Sequence, residues 1–141
     1  MRIEAWVDGG ARGNPGPAGW GVHLLLDGRE ILDLWGFLGE TTNNVAEYRA
    51  LIAALDAAAD IGADQVVVRT DSQLIQRQVT GRYKVRQPHL QELLAQVRQR
   101  AGKLASFEIH HVPRAENKAA DALANRAMDL RSSGSERLAE P

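Results

Sequence analysis

The chain has 141 residues, which is enough for one compact domain with its own hydrophobic core. It contains no cysteine, which excludes disulfides and thiolate metal sites, and no apolar run long enough to predict a membrane span. The net charge of -1 excludes strong steering of nucleic acid by the whole molecule, so contacts with phosphates must come from a local patch. Met1-Arg2-Ile3-Glu4 has an acid where a signal peptide needs apolar residues, so we expect a cytoplasmic protein. We separately expect a monomer.

The N-terminal part of the chain predicts an antiparallel meander of three strands. Residues 2–8 alternate apolar and polar side chains and end in Asp8, which is typical of a strand. After a glycine-rich turn, residues 19–26 and 30–38 form two apolar stretches separated by Asp27-Gly28, a strong hairpin signal.

The rest of the chain predicts helices that alternate with two further strands. These elements are a helix with its apolar face over 47–58, a strand over 65–70, a helix beginning at Asp71-Ser72, a helix over 88–101, a strand over 107–112 and a helix over 115–130. Strands connected through helices pair in parallel by right-handed crossovers. The order βββαβααβα therefore predicts an α/β fold with a five-stranded mixed sheet, three antiparallel strands followed by parallel ones, flanked by helices.

The C-terminal residues differ in composition from the predicted domain. Residues 131–141 include Ser-Ser-Gly-Ser and have little apolar content, so we expect a disordered tail. The folded domain is expected to span residues 1–130.

Four acids are predicted to converge at one edge of the sheet. Asp8 and Asp71 end the first and fourth strands, and the C-terminal ends of parallel neighbours form the edge where such sheets bind ligands. Glu47 lies on the apolar face of its helix and so points at the sheet, and Asp121 lies beside the apolar stripe of the last helix. Clustered carboxylates repel one another and are costly to desolvate. Magnesium suits such an all-oxygen site, and two ions about 4 Å apart can activate a water and stabilise the leaving oxygen of a phosphodiester.

Each acid also has a purely structural explanation. Asp8 before Gly-Gly could start a turn, Asp71 before Ser72 could cap a helix, and Asp121 could be a solvated helix residue. Glu47 is the hardest to explain in this way, because it interrupts its own apolar face. The four acids together are therefore a more specific signal than any one of them.

Four motifs, in this order along the chain, resemble those of the ribonuclease HI family. They are VDGGARGNPGPAG at 7–19, TTNNVAE at 41–47, TDSQ at 70–73 and NKAADALA at 117–124. The resemblance covers about residues 3–130. It implies the ribonuclease H-like fold and an endonuclease that hydrolyses the RNA strand of RNA–DNA hybrids by a two-metal-ion mechanism, leaving 5′-phosphate and 3′-hydroxyl ends.

The resemblance also implies roles for individual residues. The catalytic and metal-binding carboxylates would be Asp8, Glu47, Asp71 and Asp121, holding two Mg²⁺ ions for which Mn²⁺ can substitute. The substrate-binding residues would be Asn14, Asn43, Asn44 and Gln73, with an RNA–DNA hybrid as the partner; double-stranded RNA is a further candidate only because the chain lacks the basic insertion of some members, described below. Amides can both donate and accept hydrogen bonds, which suits 2′-hydroxyls and base edges. Turn and cap chemistry is the structural alternative for these amides.

The chain departs from many family members in two places. The segment from Gly81 to Pro88 is basic, with Arg82, Lys84 and Arg86, but has no room for the extra basic helix and loop of those members, so we expect weaker substrate binding. The alternative for this loop is an ordinary solvated surface.

The second departure concerns a histidine that many members carry before the last helix. An ungapped count from Asp121 places His111 there, whereas residues 107–112 read as a strand followed by a short loop over 113–116 without histidine. We favour the strand.

Two rival functions remain open at this point. One is a hybrid-binding module without catalysis, which the presence of all four acids disfavours. The other is a different nuclease or strand-transfer enzyme of the same fold, which the motifs bearing Asn and Gln disfavour.

Overall fold

The computed structural model describes all 141 residues, which form six strands, four α-helices and one 3₁₀ turn. In chain order these are β1 (Arg2–Ala11), β2 (Gly16–Leu26), β3 (Arg29–Thr41), α1 (Asn43–Ile61), β4 (Gln65–Thr70), α2 (Gln73–Val79), α3 (Pro88–Ala101), β5 (Ser106–His111), the 3₁₀ turn (Arg114–Glu116), α4 (Lys118–Leu130) and β6 (Gly134–Arg137). None of the four helices has the length and apolar character needed to cross a membrane.

The strands form one mixed sheet in the order β5-β4-β1-β2-β3-β6. The pairs β1–β2 and β2–β3 are antiparallel, whereas β1–β4 and β4–β5 are parallel. The predicted meander and the predicted parallel strands are therefore confirmed. The last pair between β1 and β4 joins Val7 to Thr70, where β4 ends, whereas β1 continues along β2 to Ala11.

The sixth strand corrects the sequence prediction of five strands and a disordered tail. Residues 134–137 pair with β3, from Leu32–Arg137 to Trp35–Gly134, and Phe37 donates its N–H to Ser133 Oγ at 2.9 Å. An unpaired edge strand presents backbone donors and acceptors to any neighbouring segment. The residues of β6 are held mainly by these backbone bonds, and of the tail only Ala139, beyond the strand, packs against the core, which is why the composition did not reveal the strand.

Helices cover the two faces of the sheet differently. On one face α1, with α3 behind it, closes a large core that includes the fully buried Ile3, Ala5 and Val68. On the other face α4 packs across β1, β2 and β3 through small side chains such as Ala120 and Ala124. Strand β1 is therefore in contact with a helix on each side.

Two glycines allow these helices to approach the sheet closely. A Cβ at Gly9 of β1 would overlap the backbone of Ala46 in α1, and a Cβ at Gly21 of β2 would overlap the carbonyl of Ala120 in α4. Only glycine fits where two backbones come this close. The close approach brings the residues that follow Ala46 and Ala120, Glu47 and Asp121, towards the end of β1.

Candidate active site

Asp8 and Asp71 lie where the parallel pairing of β1 with β4 ends, although β1 itself continues past Asp8 to Ala11 and is longer than the sequence predicted. Asp8 is one residue beyond the last β1–β4 pair, and Asp71 directly follows β4. Carboxylate oxygens of Asp8, Asp71 and Glu47 all lie within 4.8 Å of one another, and each of the three residues is partly buried. The predicted meeting of strand-end acids with the acid of the first helix is thus observed.

Glu47 is fixed by a backbone hydrogen bond from the neighbouring strand. The N–H of Gly9 donates to Glu47 Oε1 at 2.6 Å. The start of α1 is held by Thr42, whose Oγ1 accepts from the N–H of Val45 at 3.3 Å. The same close contact that requires glycine at position 9 therefore also orients the carboxylate.

Asp121 approaches the cluster from the opposite face of the sheet. It lies in the first turn of α4, is partly buried, and lines the same cleft as the other three acids. It lies outside the group of three whose oxygens are mutually within 4.8 Å, but its carboxyl interacts with that of Asp8. The structure therefore brings all four predicted acids to one cleft.

The acids of this cleft are held without basic partners. None of the four forms an ion pair in the protein. Burial raises the pKa of Glu47 to about 8, and the charge of Asp71 adds to the rise, although the Gly9 hydrogen bond opposes it. Burial also raises the pKa of Asp8 far above its ordinary value, with Glu47, Asp71 and Asp121 contributing in the same direction. Such a site favours either bound protons or a cation that neutralises the carboxylates.

The donor chemistry of the cleft suits a hard divalent cation. Three carboxylates offer oxygens within 4.8 Å of one another, and a fourth lies beside Asp8. Magnesium prefers a few carboxylate oxygens together with water, and the cleft is open to solvent on one side. The residues present therefore fit the metal that the sequence predicted.

Polar and cationic side chains line the rest of the cleft. They are Arg12, Asn43, Asn44, Ser72, Arg114 and Asn125. Arg12 is held against α4 by Asp129 at 2.6 Å and by Asn125 at 3.2 Å. Arg114, in the 3₁₀ turn, is exposed and forms no ion pair.

Neither arginine was singled out from the sequence. A lone basic residue in a turn is common on protein surfaces, and only the folded structure shows that these turns border the acids. The one available signal was the position of Arg114 between β5 and α4, at the edge where the strands end.

The four predicted amides divide into two groups. Asn43 Oδ1 accepts from the N–H of Ala11 at 2.7 Å, and Asn14 Oδ1 accepts from the N–H of Asn43 at 3.0 Å, so both amides tie the glycine-rich loop to α1. Asn43 and Asn44 line the cleft. Gln73 begins α2 and is exposed, and neither it nor Asn14 lines the cleft. The side-chain oxygens of Asn14 and Asn43 thus have a structural role, although Thr42 and not either amide caps α1, and their NH₂ groups donate to no protein atom.

The two histidines before α4 lie outside the cleft. His111 is the last residue of β5 and is exposed, and the turn from Arg114 to Glu116 contains no histidine. The predicted strand and shortened loop are confirmed.

The basic loop after α2 is exposed but anchored. Arg82, Lys84 and Arg86 are all exposed, whereas Gln91 of α3 donates to the carbonyl of Val85 at 2.9 Å. Tyr83, which is also exposed, is hydrogen-bonded to Arg77. The loop therefore presents three free cations on an ordered backbone.

Comparison with known proteins finds a matching family model and several similar proteins. A family model described as reverse transcriptase-like matches residues 6–127. Ribonuclease HI of Halobacterium salinarum is 47% identical over 91% of the chain, which spans 65% of that protein. Ribonuclease H of Halorhodospira halophila is 41% identical over 90% of the chain, which spans 93% of that relative. A bifunctional protein of Mycobacterium tuberculosis is 43% identical over the whole chain, which spans only 39% of it.

Solved structures show the same architecture. The crystal structure of RNase H1 from Halobacterium salinarum superposes with a TM-score of 0.89 at 46% identity, covering 92% of this chain and 99% of that one. LC11-RNase H1 in complex with an RNA/DNA hybrid superposes with a TM-score of 0.86 at 43% identity, covering 92% and 98%.

Proposed function

Because the chain belongs to the ribonuclease H family, we propose that it hydrolyses the RNA strand of RNA–DNA hybrids with the help of divalent metal ions. The observation that carries this proposal is the convergence of four carboxylates without basic partners on one open cleft. A structurally similar protein, LC11-RNase H1, has been solved in complex with an RNA/DNA hybrid. Pure binding of an anionic duplex would be weakened by four acids, so the acids support catalysis over simple recognition.

Asp8, Glu47, Asp71 and Asp121 would hold the metal, and their number fits two Mg²⁺ ions, with Mn²⁺ as a substitute. Bound ions supply an activated water and stabilise the leaving oxygen of a phosphodiester. The protein's own contribution is to fix the carboxylates on rigid elements: β1, the end of β4, and two helices that contact β1 from opposite sides. Preorganised ligands of this kind need no rearrangement during the reaction.

The groups around the acids would position the substrate. Asn43 and Asn14 use their side-chain oxygens within the protein and keep their NH₂ groups as donors, which suits 2′-hydroxyl oxygens and the acceptors of the minor groove. Asn44 would add to this polar lining, and Gln73, exposed at the start of α2, would contact the substrate outside the cleft. Arg12 and Arg114 border the cleft and are placed to contact backbone phosphates.

The expected products are a 5′-phosphate and a 3′-hydroxyl. Water would attack phosphorus in line with its bond to the 3′ oxygen, and that bond would break. One fragment then ends in a 3′-hydroxyl and the other begins with a 5′-phosphate. No side chain needs to form a covalent intermediate, and the chain contains no cysteine that could.

Cleavage of three matched duplexes tests the proposal. RNA–DNA, RNA–RNA and DNA–DNA of one sequence are incubated with Mg²⁺, with Mn²⁺ and with a chelator, and the end groups of the products are determined. We expect metal-dependent cutting of the RNA strand of the hybrid. Cutting of DNA would support a different nuclease, and hybrid binding without cleavage would support a non-catalytic module.

A pair of variants makes the test specific to the cleft. Asp8→Asn changes one carboxylate of the cluster, whereas Asp60→Asn makes the same change at an exposed position on α1 outside the acid cluster. Only the first is expected to remove cleavage. Equal activity of the two variants would place the reaction elsewhere.

A further inference from the structure

Asn117, at the start of α4, has an unusual environment for an amide. It is 1% exposed, and its Nδ2 donates to the carbonyl oxygen of Val7 at 2.8 Å. Its Oδ1 is the only buried side-chain polar atom in the protein without a hydrogen-bond partner. A buried polar atom without a partner is costly, so the orientation of this amide must be set by the bond that Nδ2 makes.

Asn117 does not serve the usual purpose of asparagine at this position. Asparagine before a helix normally accepts a hydrogen bond from the first turn. Thr42 and Ser72 cap α1 and α2 in this way with their hydroxyls, whereas the side chain of Asn117 makes no cap bond to α4. The amide contacts β1 instead of its own helix.

The contacts of Asn117 join three segments of the cleft. Its side chain binds Val7, the residue before Asp8, at the last pair of β1 with β4. Its backbone carbonyl accepts from the N–H of Asp121 at 3.1 Å, and its N–H donates to the carbonyl of Arg114 at 3.0 Å. A single buried residue therefore connects the backbones that carry two of the acids and one of the bordering arginines.

We propose that Asn117 is a positioning residue that fixes β1 at Val7 against the start of α4 and so sets the separation of the Asp8 and Asp121 carboxylates. This inference rests on the proposed function, because it concerns the same cleft. Asp8 lies on β1 and Asp121 lies on α4. The hydrogen bond from the Asn117 side chain to Val7 links these two elements next to both acids. Without it, the two carboxylates are no longer held at one distance, although both helices and the sheet keep their apolar packing.

The test compares Asn117→Ala with Gln76→Ala. Gln76 provides a matched control, because its amide Nε2 also donates to a strand carbonyl, that of Ile109 in β5, at 3.3 Å and away from the acids. A third variant, Asn117→Ser, keeps a residue that caps helices well but cannot reach Val7 in the same way. For each variant, kcat and KM for a hybrid are measured, together with the rise in Tm caused by Mg²⁺.

We expect both variants at position 117 to lose roughly tenfold or more in kcat, with KM for the hybrid little changed. Their Tm should also rise less with Mg²⁺ than that of the wild type. Gln76→Ala should keep the wild-type kcat and metal response, even where its Tm without metal is lower.

Several results would overturn the proposal. Wild-type behaviour of Asn117→Ser would show that the residue is a helix cap, and equal behaviour of Asn117→Ala and Gln76→Ala would show a merely structural role. Loss of folded protein in both variants at position 117 would also show a merely structural role. Failure of the wild type to cleave any hybrid would instead contradict the proposed function, and the metal-induced Tm shifts of the variants would still test the positioning of the acids.

Discussion

Two acids on the same face of β1 have opposite surroundings. Glu4 accepts from the indole N–H of Trp6 at 2.9 Å and from Arg69 at 3.1 Å, so its charge is matched by a neighbouring strand. Asp8, four residues later, meets only other carboxylates. Both are partly buried, so burial alone does not distinguish them. The difference between them is that the protein supplies a cation for Glu4 and none for Asp8, which under the proposed function would be neutralised by metal.

The sharpest test of this comparison is to neutralise one acid of the cleft and, separately, the paired acid Glu4. Asp71→Asn is expected to reduce hybrid cleavage by roughly a hundredfold to a thousandfold or more, since the loss of even one neutral preorganised hydrogen-bond donor from an active site has an effect of this size. Its Tm without metal should not fall, because the change relieves repulsion with Glu47. Glu4→Gln should keep kcat and lower Tm, since Arg69 loses its partner. Near-normal cleavage by Asp71→Asn at moderate magnesium would contradict the assignment of the cleft.

Metal should raise the Tm of the protein through the acids of the cleft and not through Glu4. A ligand that binds only the folded state adds about 2.7 kcal/mol to the free energy of unfolding at a hundredfold excess over its Kd. We therefore expect millimolar Mg²⁺ or Mn²⁺ to raise Tm at constant ionic strength in the wild type and in Glu4→Gln. Asp71→Asn should show a much smaller rise. A melting curve that does not respond to either metal would argue against a folded metal site.

The basic loop offers a test of how the protein contacts the hybrid despite its acidic cleft. Changing Arg82, Lys84 and Arg86 together to alanine should weaken hybrid binding and flatten its dependence on salt, by roughly one unit of slope for each cation that contacts a phosphate. Arg2→Ala, at the opposite end of β1, should leave the slope unchanged. An unchanged slope in the triple variant would show that this loop does not touch the substrate.

Without metal, the stability of the protein should fall as the pH rises. Burial raises the pKa of Glu47 to about 8, so the folded protein keeps a proton that the unfolded chain releases from about pH 4.5 upwards. The free energy of unfolding therefore decreases between about pH 4.5 and pH 8, and the raised pKa of Asp8 acts in the same direction.

Denaturant melts of the metal-free protein at several pH values measure this effect. Glu47→Gln should flatten the dependence, and saturating Mg²⁺ should oppose it, because bound metal displaces the protons. A metal-free protein that becomes more stable across this range, with no difference in Glu47→Gln, would contradict the raised pKa.

The sequence predicted the elements that have strong local signals. Asp27-Gly28 predicted the hairpin between β2 and β3, and Pro88 predicted the start of α3. The position of Glu47 on an apolar helix face predicted that it points at the sheet, where the N–H of Gly9 binds it. The parallel order of β1, β4 and β5 followed from their helical connections.

The features that were missed depend on contacts between distant segments. Strand β6 exists because the edge of β3 is available, and its own residues carry no apolar pattern. The position of Arg114 beside the acids and the unpaired Oδ1 of Asn117 likewise depend on how α4 packs against β1. Local patterns predict which residues form helices and strands, whereas such neighbours are fixed only by the packed structure.

The smallest expected effect belongs to His111, which lies close to the acids in the sheet but outside the cleft. It pairs with Thr70, the residue before Asp71, yet its side chain is exposed, as is that of His110, which contacts Glu108 at 3.2 Å. A general acid or base at the cleft would contribute roughly a hundredfold or more to turnover. Because His111 ends a strand and does not line the cleft, His111→Ala should leave kcat at saturating hybrid nearly unchanged, with at most a small loss of Tm. Circular dichroism gives the folded fraction for the comparison, and a hundredfold loss of kcat in a fully folded variant would show that this histidine reaches the acids during the reaction.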